Sequence, residues 1–107
     1  MVKYIKYNPS STTNILIGRN ESQRTGNISK ISICNENIFA NGDTLVNIFL
    51  HDGDTANDIS IIKNLSIPPG VTLILEDNLS FNINIYSLKI NTVHAGTGSM
   101  SLSIIIK

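Results

Sequence analysis

Apolar and polar residues alternate along much of this sequence. In Ile28–Cys34 and in Ser99–Ile104 they largely take turns, apart from a slip where Lys30 meets Ile31. A period of two is typical of a β-strand with one packed face and one solvated face. We therefore predict strands in both segments, with a bulge or a change of register at the slip.

Further runs rich in β-branched and aliphatic residues are separated by Gly, Asn, Asp or Pro, which favour turns. They are Asn14–Ile17, Leu45–His51, Ile59–Ile67, Val71–Glu76 and Ile83–Thr92. These runs bring the total to seven strands, and an eighth is possible at Val2–Tyr7. Apolar residues never keep a helical spacing for long, which leaves room only for a helical turn at 78–81 or 35–41.

Short strands with turn residues between them predict an all-β fold, namely a single-domain antiparallel β-sandwich of jelly-roll type with seven or eight strands. A chain of 107 residues has room for one domain and one core. We place the sandwich at residues 13–107 and assign residues 1–12 to an N-terminal arm or edge strand. Pro68-Pro69-Gly70 predicts a type II turn, because Pro restricts φ at the first central position and Gly supplies the positive φ of the second.

Charge and composition argue against several classes of partner. Eight basic and eight acidic residues give a formal charge of zero, and the basic residues form no patch of the kind that binds nucleic acid. No apolar run has the length needed to span a membrane, and Met1–Tyr7 lacks the apolar core of a signal peptide. Cys34 is the only cysteine, so an intrachain disulfide is excluded. We expect synthesis in the cytoplasm and a domain held together by packing alone.

The sequence offers little for catalysis. His51 and His94 are the only histidines, and no Gly-x-Ser-x-Gly elbow accompanies the many serines. Nothing basic adjoins Cys34 except Lys30, so we interpret it as a packed, inert thiol. We therefore predict a protein without enzymatic activity and without a cofactor.

One loop carries a dense set of oxygen-bearing side chains. Asp52, Asp54, Asn57 and Asp58 could offer ligands to Ca²⁺. Their spacing departs from that of an EF-hand loop, and no bidentate Glu follows. Since Asp, Asn and Gly are also the residues of ordinary turns, a turn is the favoured interpretation, and a Ca²⁺ site at Asp52, Asp54 and Asp58 is the alternative.

The aromatic residues do not predict a sugar-stacking platform. The chain has no Trp, and we assign its three Phe residues to the core. Tyr4 and Tyr7 are three residues apart, so on an extended segment they point to opposite faces. Either is a candidate subunit contact, together with Pro9, which ends this stretch.

Five segments follow one another along the chain as an ordered set of strands around the Pro-Gly turn: Gly26–Asn35, Val46–Leu50, Ile61–Glu76, Tyr86–Ile90 and Leu102–Ile106. Taken in this order, they resemble a family of small β-sandwich virion proteins of tailed phages, especially marine ones. The resemblance covers about residues 13–106.

The resemblance implies a virion structural protein and brings no catalytic residues with it. The expected role is a capsid decoration or accessory protein that contacts the major capsid protein or neck and tail proteins, forms a homo-oligomer, and binds neither nucleic acid nor membrane. The alternative is a tail- or fibre-associated module that binds carbohydrate or the host surface, assisted by Ca²⁺ at Asp52, Asp54 and Asp58. In either case the protein would be made in the host cytoplasm and reside in the virion.

Overall fold

The computed structural model describes residues 2–7, 13–21, 26–36, 44–76, 78–94 and 101–107. Within these ranges the regular structure consists of β-strands, with no helix. The strands are β1 (Lys3–Tyr7), β2 (Thr13–Ile17), β3 (Asn27–Ile28), β4 (Ile31–Asn35), β5 (Thr44–Asp52), β6 (Asp58–Ile67), β7 (Thr72–Leu75), β8 (Leu79–Ser80), β9 (Tyr86–His94) and β10 (Leu102–Ile106).

The strands form two four-stranded antiparallel sheets and one small pair. The first sheet has the order β1-β10-β4-β7, the second has the order β2-β9-β5-β6, and β3 pairs with β8. When β3 and β8 are set aside, the first strand pairs with the last, the second with the next to last, and so on inwards. This is the winding of a jelly roll, and it confirms the predicted β-sandwich.

One core fills the space between the two sheets. In β4, β5 and β10 every second residue is buried, as a strand with one packed face requires. The buried apolar residues form a single cluster: Leu16, Ile17, Ile28, Ile31, Ile33, Val46, Ile48, Leu50, Ile67, Leu88, Ile90, Leu102, Ile104 and Ile106. Most are Ile or Leu, each of which stabilises the fold by roughly 1.5–3 kcal/mol when fully buried.

Phe49 does not belong to this core, so our assignment of it was wrong. Val46, Ile48 and Leu50 occupy the inner face of β5, and strict alternation leaves Phe49 half-buried on the outer face. Phe81 packs against the edge of the core, and Phe39 lies outside the described residues.

Two predicted strands have different limits in the structure. The segment 28–34 is divided at the slip, because Ile28 ends β3 and Ile31 begins β4. Between them the chain leaves β8 and joins β10, with the Ser29 amide donating to the Lys107 carbonyl at 2.8 Å. The strand predicted from Ile83 begins only at Tyr86, because the Asn82 side chain accepts a 3.0 Å hydrogen bond from the Asn84 amide and holds a turn there.

The two possible helical turns have different outcomes. Residues 79–80 form β8 instead. Asn35 belongs to β4, and residues 37–41 of the other segment lie outside the described residues.

The type II turn at Pro68-Pro69-Gly70 is confirmed. Gly70 has a φ of 78°, and the Val71 amide donates to the Pro68 carbonyl at 3.1 Å. Buried Asn35 fixes the turn to β4, since its Nδ2 donates to the Ile67 carbonyl at 2.7 Å and its carbonyl accepts from the Gly70 amide at 2.8 Å.

Substituting Gly70 tests this turn. No atom lies within 4 Å of a Cβ added there, so Gly70→Ala should act through the backbone alone, at a cost of about 1 kcal/mol in the free energy of unfolding. Asn tolerates a positive φ better than Ala, so Gly70→Asn should cost less. Urea unfolding of the three proteins measures both effects, and an alanine variant as stable as the wild type would contradict the assignment.

Candidate functional site

The edge strand β1 is tied to the body of the domain at several points. It pairs with β10 along Lys3–Tyr7, and Ile5 packs against the core. Lys3 reaches the other sheet, where its Nζ donates to the Leu16 carbonyl at 2.6 Å and to Glu21 Oε1 at 2.7 Å. Residues 3–7 are therefore part of the sandwich and do not extend away from it as a free arm.

A polar cluster joins three strands of this sheet on its outer side. Glu36, which follows β4, accepts hydrogen bonds from Lys6 of β1 and from the Ser103 hydroxyl of β10. The hydrogen bond from Lys6, followed by that from Ser103, holds the pKa of Glu36 below its ordinary value of 4.5.

The lowered pKa predicts a pH-dependent stability. A carboxyl group with a depressed pKa in the folded state stabilises the fold above its unfolded pKa, and this contribution is lost as the pH falls through the folded value. We expect Glu36→Gln to be less stable than the wild type near neutral pH, and the difference to shrink below about pH 4.5. Urea unfolding at about pH 7 and pH 3 measures this.

Glu76→Gln is the control, because Glu76 Oε1 lies 3.9 Å from Lys30 and 69% of its side chain is exposed. An unchanged difference at the two pH values would contradict the assignment.

An apolar row crosses the outer face of the same sheet. Tyr4, Ile105, Ser32 and Ile74 lie opposite one another on the four adjacent strands. Tyr4 is 74% exposed and Ile74 is 51% exposed, and the small, polar Ser32 lies between Ile105 and Ile74. We call these four residues the Tyr4 row. Exposed apolar side chains grouped on one sheet surface, unlike scattered single residues, are typical of a contact with another molecule.

The remaining predicted contact residues are only partly described. The backbone of Tyr7 pairs with Leu102 at the end of β1, and Pro9 lies outside the described residues. The structure therefore supports Tyr4 as an exposed side chain and adds Ile105 and Ile74 to it. Alternation within each strand was the signal available for these two residues, but only the register shows that they share a row with Tyr4.

The three carboxylates of the candidate Ca²⁺ loop have separate partners. Asp52 accepts hydrogen bonds from the amides of Asp54 and Thr55 at 2.8 and 3.3 Å, and the first of these is the main cause of its lowered pKa. Asp54 Oδ1 lies 3.2 Å from Arg19, and Asp58 Oδ1 lies 2.7 Å from His51 Nδ1. Over the part of the chain that the structure describes, no group of three or more His, Cys, Asp or Glu residues could hold a metal ion. The loop is built as a turn.

Serine, histidine and aspartate, the residue types of a hydrolase triad, occur in one row of the second sheet. They do not have the geometry of a triad. Ser87, His51 and Asp58 lie opposite one another on β9, β5 and β6. Ser87 is buried, and no side-chain hydrogen bond among the described residues joins it to His51. His94 lies at the end of β9, with its backbone opposite Thr44. Cys34 is a half-buried thiol on the outward-facing side of β4.

These features define a class: an all-β jelly-roll domain whose first sheet presents an apolar row to its surroundings. No protein-family model matches the sequence, and no curated protein matches it. Among solved structures the chain is similar to the Yersinia pseudotuberculosis-derived mitogen, with a TM-score of 0.53 and 11% identity over 100% of this chain and 85% of that one. This likeness shows a shared fold.

A second solved structure is more distant. It is the virus-like particle of the giant freshwater prawn Macrobrachium rosenbergii extra small virus, with a TM-score of 0.37 and 13% identity over 99% of this chain and 75% of that one. At that TM-score the likeness supports no conclusion about this chain. Among the described residues, no helix is long and apolar enough to cross a membrane.

Proposed function

We propose that this protein is a non-enzymatic structural component of a phage particle, a capsid decoration or accessory protein that binds other virion proteins through the Tyr4 row. The sequence resemblance to small virion proteins of tailed phages supports a place in the phage particle. The outer surface of the first sheet supports binding through the Tyr4 row. The partners are the major capsid protein or neck and tail proteins, together with further copies of this chain. Neither nucleic acid nor membrane takes part.

The Tyr4 row carries this proposal. Protein interfaces depend on a few apolar and aromatic side chains near their centre, and Tyr is among the residues enriched there. Tyr4, Ile105 and Ile74 offer such a set on a flat sheet, which suits a protein surface better than a small ligand. Because β1 is an edge strand, it can also extend its sheet by pairing with a strand of the partner.

The polar chemistry of the chain supports a role without catalysis. Among the described residues, Ser87, His51 and Asp58 resemble a triad in type, but no side-chain hydrogen bond joins the serine to the histidine. A triad requires that bond to activate the nucleophile. The acidic loop likewise directs its carboxylates to separate partners.

Substitutions in the Tyr4 row test the proposal. Tyr4→Ser and Ile74→Ser should each weaken binding to emptied capsids about tenfold or more, because each removes a side chain that the partner would bury. Co-sedimentation of the purified chain with capsids across a range of concentrations measures this. Both residues are exposed, so the folded state should be retained, which urea unfolding verifies.

Ile15→Ser is the matched control for these variants. Ile15 is 54% exposed, close to the value for Ile74, and it lies on the other sheet. It should leave binding unchanged. Equal binding by all the variants, or equal loss by all of them including Ile15→Ser, would contradict the role of the Tyr4 row.

A further inference from the structure

The outer face of the second sheet carries a groove of about 670 Å³. It lies on the opposite side of the sandwich from the Tyr4 row and is formed by β5, β6 and β9. Its lining includes Asn47, Phe49, Ser60, Lys63, Asn64 and Asn91, and the acidic Asp58 lines it as well. We call it the β6 groove.

Irregular pairing of β6 shapes this groove. Val46 lies opposite Leu65 and Ile48 lies opposite Ile62, so two residues, Lys63 and Asn64, face Asn47 alone. Asn64 takes a φ of 55°, and its amide donates to Asn47 Oδ1 at 2.8 Å. This bulge brings Lys63 and Asn64 to the groove together. Because Asn47 Oδ1 accepts the Asn64 amide, the Asn47 side chain offers its NH₂ group as a donor. Bulges often re-aim side chains in this way at binding sites.

A second irregularity adjoins the first. Ile48 pairs with Ile62 while Phe49 pairs with Ser60, so Ile61 is the extra residue. The Phe49 ring and the Ser60 hydroxyl thereby share the floor of the groove. The groove combines one aromatic surface with amide and hydroxyl groups around it.

One lysine in the groove, Lys63, and one beside it, Lys89, carry positive charge without an ion-pair partner among the described residues. Ion pairs involve most other basic side chains in the part of the chain that the structure describes: Lys3, Lys6, Arg19 and Lys30 each meet a carboxylate. Lys63 and Lys89 have no such pair among the described residues. Lys89 lies beside the groove, opposite Phe49 in the sheet. Asp58, which lines the groove, is paired with His51, whose Nδ1 lies 2.7 Å from Asp58 Oδ1. An anionic ligand would complement the two lysines.

We propose that the β6 groove binds a carboxylate-bearing saccharide, a sugar of the uronic acid or sialic acid type. Side-chain amides and hydroxyls can match the vicinal hydroxyls of a sugar, and the Phe49 ring can lie against its apolar face. Lys63 would meet the carboxylate, and Lys89 beside the groove would add to the attraction. An acidic peptide would be a weaker match, because the groove lies on the outer face of the sheet, whereas a peptide that adds as a strand pairs with the backbone edge of β6.

The proposal is tested by NMR titration of the isotope-labelled chain with two probes, sialyllactose and tetragalacturonate. Lactose serves as the neutral control and hexaglutamate as the acidic peptide. We expect saturable shifts at Phe49, Asn64 and Lys89 with at least one acidic sugar, and none with lactose or hexaglutamate. The probe that binds identifies the sugar type. High salt should weaken binding, since it screens exposed charges.

Variants of the groove separate specific binding from surface attraction. Lys63→Gln should weaken binding about tenfold. Asn64→Gly keeps the positive φ accessible and removes the side-chain amide, so it should weaken binding too. Lys107→Gln is the matched control, because Lys107 also lacks an ion pair among the described residues but lies outside the groove.

Three results would overturn the proposal: no saturable binding of either sugar, preferential binding of hexaglutamate, or equal weakening by Lys107→Gln. None of them bears on the Tyr4 row, which the capsid experiment tests separately.

Discussion

Ile104→Ala is expected to lower the free energy of unfolding by about 3 kcal/mol. Ile104 is 1% exposed on β10, between two strands of the first sheet. It lies opposite Ile5 on one side and Ile33 on the other. Removing three carbon atoms from this position loses their transfer from water and leaves a cavity that paired strands cannot close.

Ile105→Ala is the matched control for this prediction. The two residues are neighbours on the same strand, but Ile105 faces outwards in the Tyr4 row and is only half-buried. Its truncation should cost less than about 1 kcal/mol. Urea unfolding of both variants gives the comparison. Equal losses would mean that β10 does not present alternate residues to the core, which would contradict the sandwich.

Gly26→Ala is expected to lower the free energy of unfolding about as much as Ile104→Ala does, for a steric reason. A Cβ at this position would lie 1.6 Å from the carbonyl oxygen of Phe81 and 2.8 Å from its carbonyl carbon. The two segments of backbone approach this closely because the Phe81 amide donates to the Gly26 carbonyl at 2.8 Å, next to the pairing of β3 with β8. Since the obstacle is backbone, it cannot rotate away, and the pair must separate. We expect a loss of about 3 kcal/mol.

Gly18→Ala controls for the general effect of replacing glycine. The nearest atom to a Cβ there is Glu21 Oε1 at 3.9 Å, an ordinary contact. This variant should be as stable as the wild type to within about 1 kcal/mol. Thermal or urea unfolding distinguishes the two variants. If Gly26→Ala matched Gly18→Ala in stability, the close approach of β3 and β8 would be wrong.

Local patterns were sufficient to predict the class of fold. The alternation in β4, β5 and β10 reflects one packed face, a property that each strand has by itself. The type II turn was equally predictable, because Pro69 and Gly70 restrict the backbone without help from distant residues. The division of segment 28–34 was visible only as a slip at Lys30, since its cause is a change of pairing partner from β8 to β10.

The candidate sites depend on register, which a single sequence does not reveal. Tyr4, Ser32, Ile74 and Ile105 are far apart along the chain and form one row only because four strands pair in a particular alignment. The bulge at Asn64 is similarly set by the pairing of β6 with β5. Phe49 is a different case: the alternation in Leu45–His51 already placed it with Asn47 on the outer face, and the general preference of Phe for cores led to the wrong assignment.

The most direct test of the proposed virion function is quantitative mass spectrometry of virus particles purified from the source of this sequence. Copies of the chain are counted against copies of the major capsid protein. A decoration protein that covers the capsid should be present at a copy number comparable to that of the capsid protein. Absence of the chain from purified particles would contradict the proposed virion function, and a copy number far below that of the capsid protein would contradict its assignment to capsid decoration.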